Sequence, residues 1–292
     1  MKSLSRPLVL LIGIAIGAAV VAVGQNLSSE APQTATGQSI SETRSEHAER
    51  LDVVMGLINS KRSRTFSLSG ATDQSLLRLR DVHALREICL NSSPISDAGL
   101  ESIADVKKVE SLSLANTHIT SEGLAVLSGW TTLTDLSLSN TKIDGKGLAH
   151  LTGNKGLEEL SLLYTRIGDA DMGTVAQFPK LKYLALSGTP ITDAALETIS
   201  KLTDLEELRL NDTKVTDAGI KQLASLPKLQ KLSLDGTGIT DESVDVLTSF
   251  PALVNVSVEK TAITKAIELP NAPSNEDAPA EDTSAEETPA AE

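Results

Sequence analysis

Apolar positions in the middle of the chain return every 24 residues. Leu85, Val109, Leu133, Leu157, Leu181, Leu205, Leu229 and Leu253 mark one column. Three residues after each stands a second column, from Ile88 through Leu112, Leu136, Leu160, Leu184, Leu208 and Leu232 to Val256. Two further on a third runs from Leu90 to Val258, and a β-branched residue follows it in each unit, from Ile95 to Ile263. The L-x-L piece alternates with period two and predicts a short strand whose leucines share one face. The second half of each unit has apolar residues at helical spacing, as in Ile220, Leu223 and Leu226. Ser96-Asp97, Thr192-Asp193, Thr216-Asp217 and Thr240-Asp241 precede these segments. Their side chains are expected to accept from the free N–H groups of the first helical turn. Pro179, Pro227 and Pro251 fall just past the helix ends, where a proline costs little. One unit is therefore strand, turn, helix, turn. It cannot bury both of its apolar faces alone, so the units must stack.

The unit L-x-x-L-x-L-x-x-T-x-I-T-D-x-G-L is clearest from Leu205 to Ile220, with Val215 and Ile220 in place of the Ile and the last Leu. It resembles the leucine-rich repeat family. The period, and Thr in place of the usual Asn or Cys, look like the bacterial and F-box-associated helical subtype. The match covers Leu85 to Ile263. The resemblance implies an α/β fold, a leucine-rich repeat solenoid of about eight repeats with a degenerate N-terminal cap. Neighbouring strands sit about 4.8 Å apart and packed helices about 8–10 Å. The stack is therefore expected to curve, with a parallel inner sheet and outer helices. Residues 61–84 read as the capping repeat. Phe66, Thr72-Asp73, Leu76 and Leu79 fall 24 positions before Leu90, Ser96-Asp97, Leu100 and Ile103.

Outside the repeats the pattern changes. Lys2 and Arg6 precede an uncharged apolar run of 17 residues, Leu8 to Gly24. That length lies between a cleaved signal peptide and a membrane-spanning helix. Residues 1–24 therefore read as either a signal peptide, cut after Ala22-Val23-Gly24, or an uncleaved N-terminal membrane anchor. Both imply export. The protein would face outward from the cell membrane or, if cleaved, be secreted or periplasmic, and the membrane contact would run through this segment. Residues 25–48 are polar and read as a disordered linker, and residues 49–84 as an N-terminal helix and the capping repeat. Leu51, Val54, Met55 and Ile58 would share one face of that helix. Repeats occupy 85–269, and 270–292 reads as a disordered tail with seven carboxylates and no base.

Composition narrows the function. The net charge is −13, from 26 Lys and Arg against 39 Asp and Glu, which disfavours nucleic acid as a partner. Only six residues are aromatic, so the core is expected to be Leu, Ile and Val. The single Cys89 excludes an intrachain disulfide, and the four histidines stand at no ligand spacing. No metal and no cofactor are expected. Neither H-E-x-x-H, G-x-S-x-G, a phosphate-cradling glycine loop nor an isolated acid pair is evident, so no enzymatic activity is expected.

What remains is a protein-binding module with an unknown protein ligand. Leu163, Tyr164, Tyr183 and Arg209 fall on the expected concave side of neighbouring units, and Tyr and Arg are prominent in binding hot spots. A second column gives a basic rim of His118, Lys142, Arg166 and Lys214 on an acidic protein. That rim suits an anionic partner or the chain's own tail. The Thr column from Ser93 to Thr261 is expected to bond turn backbone rather than act as nucleophiles. A structural component of the cell envelope is the alternative function. An adaptor of the F-box type is implied only by the family resemblance, and no F-box-like segment precedes the repeats.

Overall fold

The computed structural model describes residues 38–61 and 63–272. The signal or anchor segment 1–24 and the tail from Pro273 onward therefore lie outside the described residues. Among the described residues no helix is long and apolar enough to cross a membrane. The chain divides into two units, up to Glu46 and from His47 onward. Of the first, the described part is the opening turns of helix α1 (Gln38–Asn59). This helix starts inside the stretch expected as a linker, in a run without Gly or Pro between Gln38 and Ala48. In the second unit its last turns bury Leu51, Met55 and Ile58, with Val54 half-buried beside them.

Nine three-residue strands follow among the described residues: β1 Thr65–Ser67, β2 Glu87–Cys89, β3 Ser111–Ser113, β4 Asp135–Ser137, β5 Glu159–Ser161, β6 Tyr183–Ala185, β7 Glu207–Arg209, β8 Lys231–Ser233 and β9 Asn255–Ser257. They form one parallel sheet in chain order. The register sets Phe66, Ile88, Leu112, Leu136, Leu160, Leu184, Leu208, Leu232 and Val256 side by side. All but Val256 are buried, as the period of two requires.

The other side of each rung carries short helices. They are α2 (Asp73–Leu76), α3 (Asp97–Glu101), α4 (Gly145–Ala149), α5 (Met172–Val175), α6 (Asp193–Ile199), α7 (Asp217–Leu223) and α8 (Val244–Thr248). The β3 rung has a 3-10 stretch instead, Gly123–Gly129, with a glycine at each end. Glycine weakens the α-helix by about 1 kcal/mol against alanine. The alanine-containing segments Asp193–Ile199 and Asp217–Leu223 are the longest of these helices, at seven residues each.

Three expectations change in detail. First, Phe66 pairs with Ile88, not in the frame of Leu90. The cap residue Thr72 still matches Ser96, so the turn of the β1 rung is two residues shorter than that of the β2 rung. Second, the repeated Asp does not serve its own helix. The hydroxyls of Thr192, Thr216 and Thr240 accept from the N–H two residues on, while the Asp after each reaches the following rung. The Thr216 N–H donates to Oδ1 of Asp193 at 2.8 Å and its hydroxyl to Oδ2 at 2.6 Å. Asp73, Asp97, Asp169, Asp217 and Asp241 hold Ser96, Thr120, Thr192, Thr240 and Thr264 in the same way. At the β4 rung Gly145 takes the Asp place. The next cap, Gly168, then donates its N–H to Asp171 of its own rung at 3.0 Å. Third, the aromatic residues matter more than their number suggests. Phe66, Trp130, Phe178 and Phe250 are the bulkiest fully buried side chains.

The Thr column satisfies turn backbone. From Thr117 to Thr261 each hydroxyl donates to the carbonyl three residues earlier, at 2.5–2.7 Å. These bonds close each turn on itself. They do not run from rung to rung.

Candidate functional site

The first and third residues of each strand point away from the leucine core and form the exposed face of the sheet. The third column is Cys89, Ser113, Ser137, Ser161, Ala185, Arg209, Ser233 and Ser257. Its small side chains leave the sheet low and open. Cys89 is half-buried and free. Larger groups rise from this floor in the first column, which holds Glu87, Asp135, Glu159, Tyr183, Glu207 and Lys231.

Asp135 and Glu159 stand opposite each other on β4 and β5. Burial pushes the Glu159 carboxyl up to about 7, helped by the charges of Asp135, Glu158 and Glu207. Burial also raises Asp135, against the hydroxyl of Thr134, which donates to it at 2.5 Å. Neighbouring half-buried carboxylates do not both ionise cheaply, so Glu159 keeps its proton to higher pH than an ordinary carboxyl does. Because the pKa of Glu159 is raised in the fold, the native state binds the extra proton. The associated stability is present at low pH and is lost as pH rises from 4.5 toward 7. NMR of the side-chain carboxyl carbons should find Glu159 half-titrated near 7. Asp135→Asn should lower that midpoint by removing the neighbouring charge. A midpoint in the ordinary carboxylate range in the unaltered protein would show that burial and Asp135 do not raise Glu159.

Tyr183 follows on β6, and Arg209 on β7 lies over its ring at 5.3 Å from the centroid. Arg209 is held by Glu207, with Nε donating to Oε1 at 2.8 Å and Nη2 in an ion pair with the same oxygen at 2.7 Å. Lys231 approaches the other oxygen of Glu207 at 3.6 Å. The guanidinium is thereby fixed in place before any partner arrives, which lowers the entropy cost of binding. Burial raises the Tyr183 hydroxyl, and the Arg209 charge opposes it.

Leu163 and Tyr164 are not part of this stack. They lie four and five residues beyond Glu159, the register partner of Tyr183, in the turn that leaves β5. Tyr164 occupies the left-handed region with φ 55°. So do its column mates Ser92, Asn116, Asn140, Gly188, Asp212, Gly236 and Lys260. Among them a bulky aromatic residue is the costly choice, by roughly 1–3 kcal/mol. Its ring rests over Gly188 of the next rung, where an added Cβ would come within 2.2 Å of Tyr164 Cδ1. The tyrosine is 59% exposed, the most exposed aromatic residue described. Leu163 is half-buried beside it.

His118, Lys142, Arg166 and Lys214 are all exposed, in the turns of the β3, β4, β5 and β7 rungs. The predicted residues thus fall in three places: the Tyr183–Arg209 stack on the strands, the Leu163–Tyr164 pair in the turn, and the basic margin two residues beyond. The Asp135–Glu159 pair escaped the sequence reading, although the two residues stand one repeat apart and must be neighbours in any stack of this period. Among the described residues no group of three ligating side chains could hold a metal ion.

The family model described as Leucine Rich repeat matches residues 107–128, 131–151, 179–200 and 201–224. No curated protein matches the chain. Two solved structures from Listeria monocytogenes share the fold. An internalin, InlF, is 20% identical, with a TM-score of 0.56 over 73% of this chain and 59% of its own. The chain thus spans well under two thirds of that protein. Internalin C2 is 23% identical, with a TM-score of 0.59 over 73% of this chain and 92% of its own. With four of its rungs matched by that model and its parallel stack shared with both structures, the chain has the fold of a leucine-rich repeat solenoid.

Proposed function

We propose that the protein is an exported, membrane-tethered and non-enzymatic module that binds another protein through the exposed face of its sheet. Export rests on the basic start and apolar run of residues 1–24. The observation that carries the binding face is the Tyr183–Arg209 stack, fixed by Glu207 on a floor of serines. A pre-ordered Arg on an aromatic ring, rising from small neighbours, suits a partner that is itself contoured. Tyr164 extends the surface past the strand ends and is held out at a conformational cost, an arrangement that recurs where function requires it. The acid pair lies in the same face, and the hydroxyl that bonds to it, that of Thr134, has no imidazole bonded to it among the described residues. It therefore supports recognition of a donor or cation rather than turnover.

The test is a crosslinking capture from envelope extract, with the full chain as bait. A triple variant, Tyr164→Ala, Tyr183→Ala and Arg209→Ala, should recover at least about tenfold less of the specific partner, because hot-spot truncations cost ~2 kcal/mol or more. Its thermal midpoint should stay close to that of the parent. Undiminished capture by a folded triple variant would remove the sheet face from the interface.

A further inference from the structure

We propose that the basic margin of the turns is a docking surface for an acidic segment, and that its occupant is the chain's own C-terminal tail. This goes beyond the sheet-face reading and does not depend on it. His118, Lys142 and Arg166 stand on three successive rungs, with Lys214 two rungs further along. None of the four forms an ion pair among the described residues, although eight other Lys and Arg side chains do. Rungs lie about 4.8 Å apart, so the charges of Lys142 and Arg166 sit within the screening length of about 8 Å and repel one another. A row of basic side chains left this way on a protein of net charge −13 is a place for a polyanion.

The tail supplies one. Residues 273–292, outside the described residues, contain Glu276, Asp277, Glu281, Asp282, Glu286 and Glu287 as well as the terminal Glu292, and no Lys or Arg. Its remaining residues are Pro, Ala, Ser, Thr and Asn, which offer no apolar face for any other docking. The reach is sufficient. The described chain ends at Ala272 in the last rung, tied there by Asn271 Nδ2 donating to the Pro251 carbonyl at 3.1 Å and by the Ala272 N–H donating to Leu269 at 3.2 Å. From β9 the β5 rung is about 19 Å away and the β3 rung about 29 Å. An extended chain covers ~3.3 Å per residue, so the acids at 281–282 can reach Arg166 and those at 286–287 can reach Lys142 and His118. A single exposed ion pair contributes little, at most ~1 kcal/mol. Several pairs delivered by a covalent tether act at an effective concentration in the millimolar range.

The test is zero-length carbodiimide coupling of the full chain at low salt, read by peptide mass spectrometry. The carboxylates from Glu281 to Glu287 should couple to Lys142 and Lys214 within one chain. In ~1 M NaCl, where screening acts within about 3 Å, that coupling should fall at least about fivefold. Lys142→Ser should move the coupling of Glu286 and Glu287 onto Lys214 without altering the thermal midpoint. Three results would each overturn the proposal. In one, coupling is confined to Lys260 and Lys265 of the last rung. In another, it spreads over all exposed lysines in proportion to exposure. In the third, isotopically mixed samples show that the coupled pairs join different chains.

Discussion

Trp130→Ala is expected to destabilise the protein by about 3–5 kcal/mol, the range for emptying a buried aromatic site. Trp130 ends the 3-10 stretch of the β3 rung and is fully buried. It belongs to a column that closes the helix side of successive rungs: Val106, Trp130, Asn154, Phe178, Leu202, Leu226 and Phe250. Asn154, buried between the two largest members, uses its side-chain oxygen to accept from the Leu133 N–H at 3.2 Å and its amide to donate to the Leu151 carbonyl at 3.2 Å. Neither bond leaves it free to move into a cavity. Trp130 also donates its indole N–H to the Ala104 carbonyl of the preceding rung at 3.2 Å. Alanine therefore removes packing between rungs together with a bond across them. Trp130→Phe keeps most of the volume and should cost only the bond and a smaller void. Urea unfolding followed by far-UV circular dichroism measures both, since Trp130 is the chain's single tryptophan and its emission is lost with it. A loss below about 1 kcal/mol for Trp130→Ala would mean that the column collapses to fill the space.

Leu160→Ala should cost about 2–5 kcal/mol. Leu160 is the central residue of β5, fully buried, with Leu136 and Leu184 as its register partners. It touches the stack from both sides, and each rung contacts mainly its neighbours, so a void here weakens two interfaces at once. The same unfolding measurement should show a lower midpoint. In an array of this kind the transition can also broaden, because coupling between the two halves is reduced. Near-zero loss would contradict the assignment of this column as core.

The sheet was legible before any coordinates because one number, the 24-residue period, fixes which leucines become neighbours. The same number placed Tyr183 next to Glu159 and Arg209 next to Ala185. Reading along the chain instead of across it hid the rest. Asp after Thr looks like a cap when only its own helix is considered, yet its carboxylate spans to the next unit. Asp135 and Glu159 look unremarkable in sequence because nothing acidic flanks Asp135 directly, and their interaction exists only across the strands. The frame of Phe66 was misjudged because the first turn lacks two residues, and the period cannot register a deletion at its own boundary. Backbone sign is likewise absent from composition, although Asn116, Asn140, Gly188, Asp212 and Gly236 do form a column of residues that tolerate positive φ. Tyr164 stands out only once that column is recognised.

The Asp-to-Thr bonds all run one way, from a rung to its successor, and this makes the two ends of a fragment unequal. Cutting after a rung leaves a carboxylate facing water, which solvates it well. Starting at a rung leaves a cap N–H without its acceptor, a loss of ~1–3 kcal/mol where water cannot reach. Besides the first rung, where the Thr72 N–H donates to Ser75, the rung of Gly168 brings its own acceptor, Asp171. A shortened chain that begins at that rung therefore keeps its cap donor satisfied, and the strand and turn donors of the new edge, Glu158, Glu159 and Arg166, pass to water.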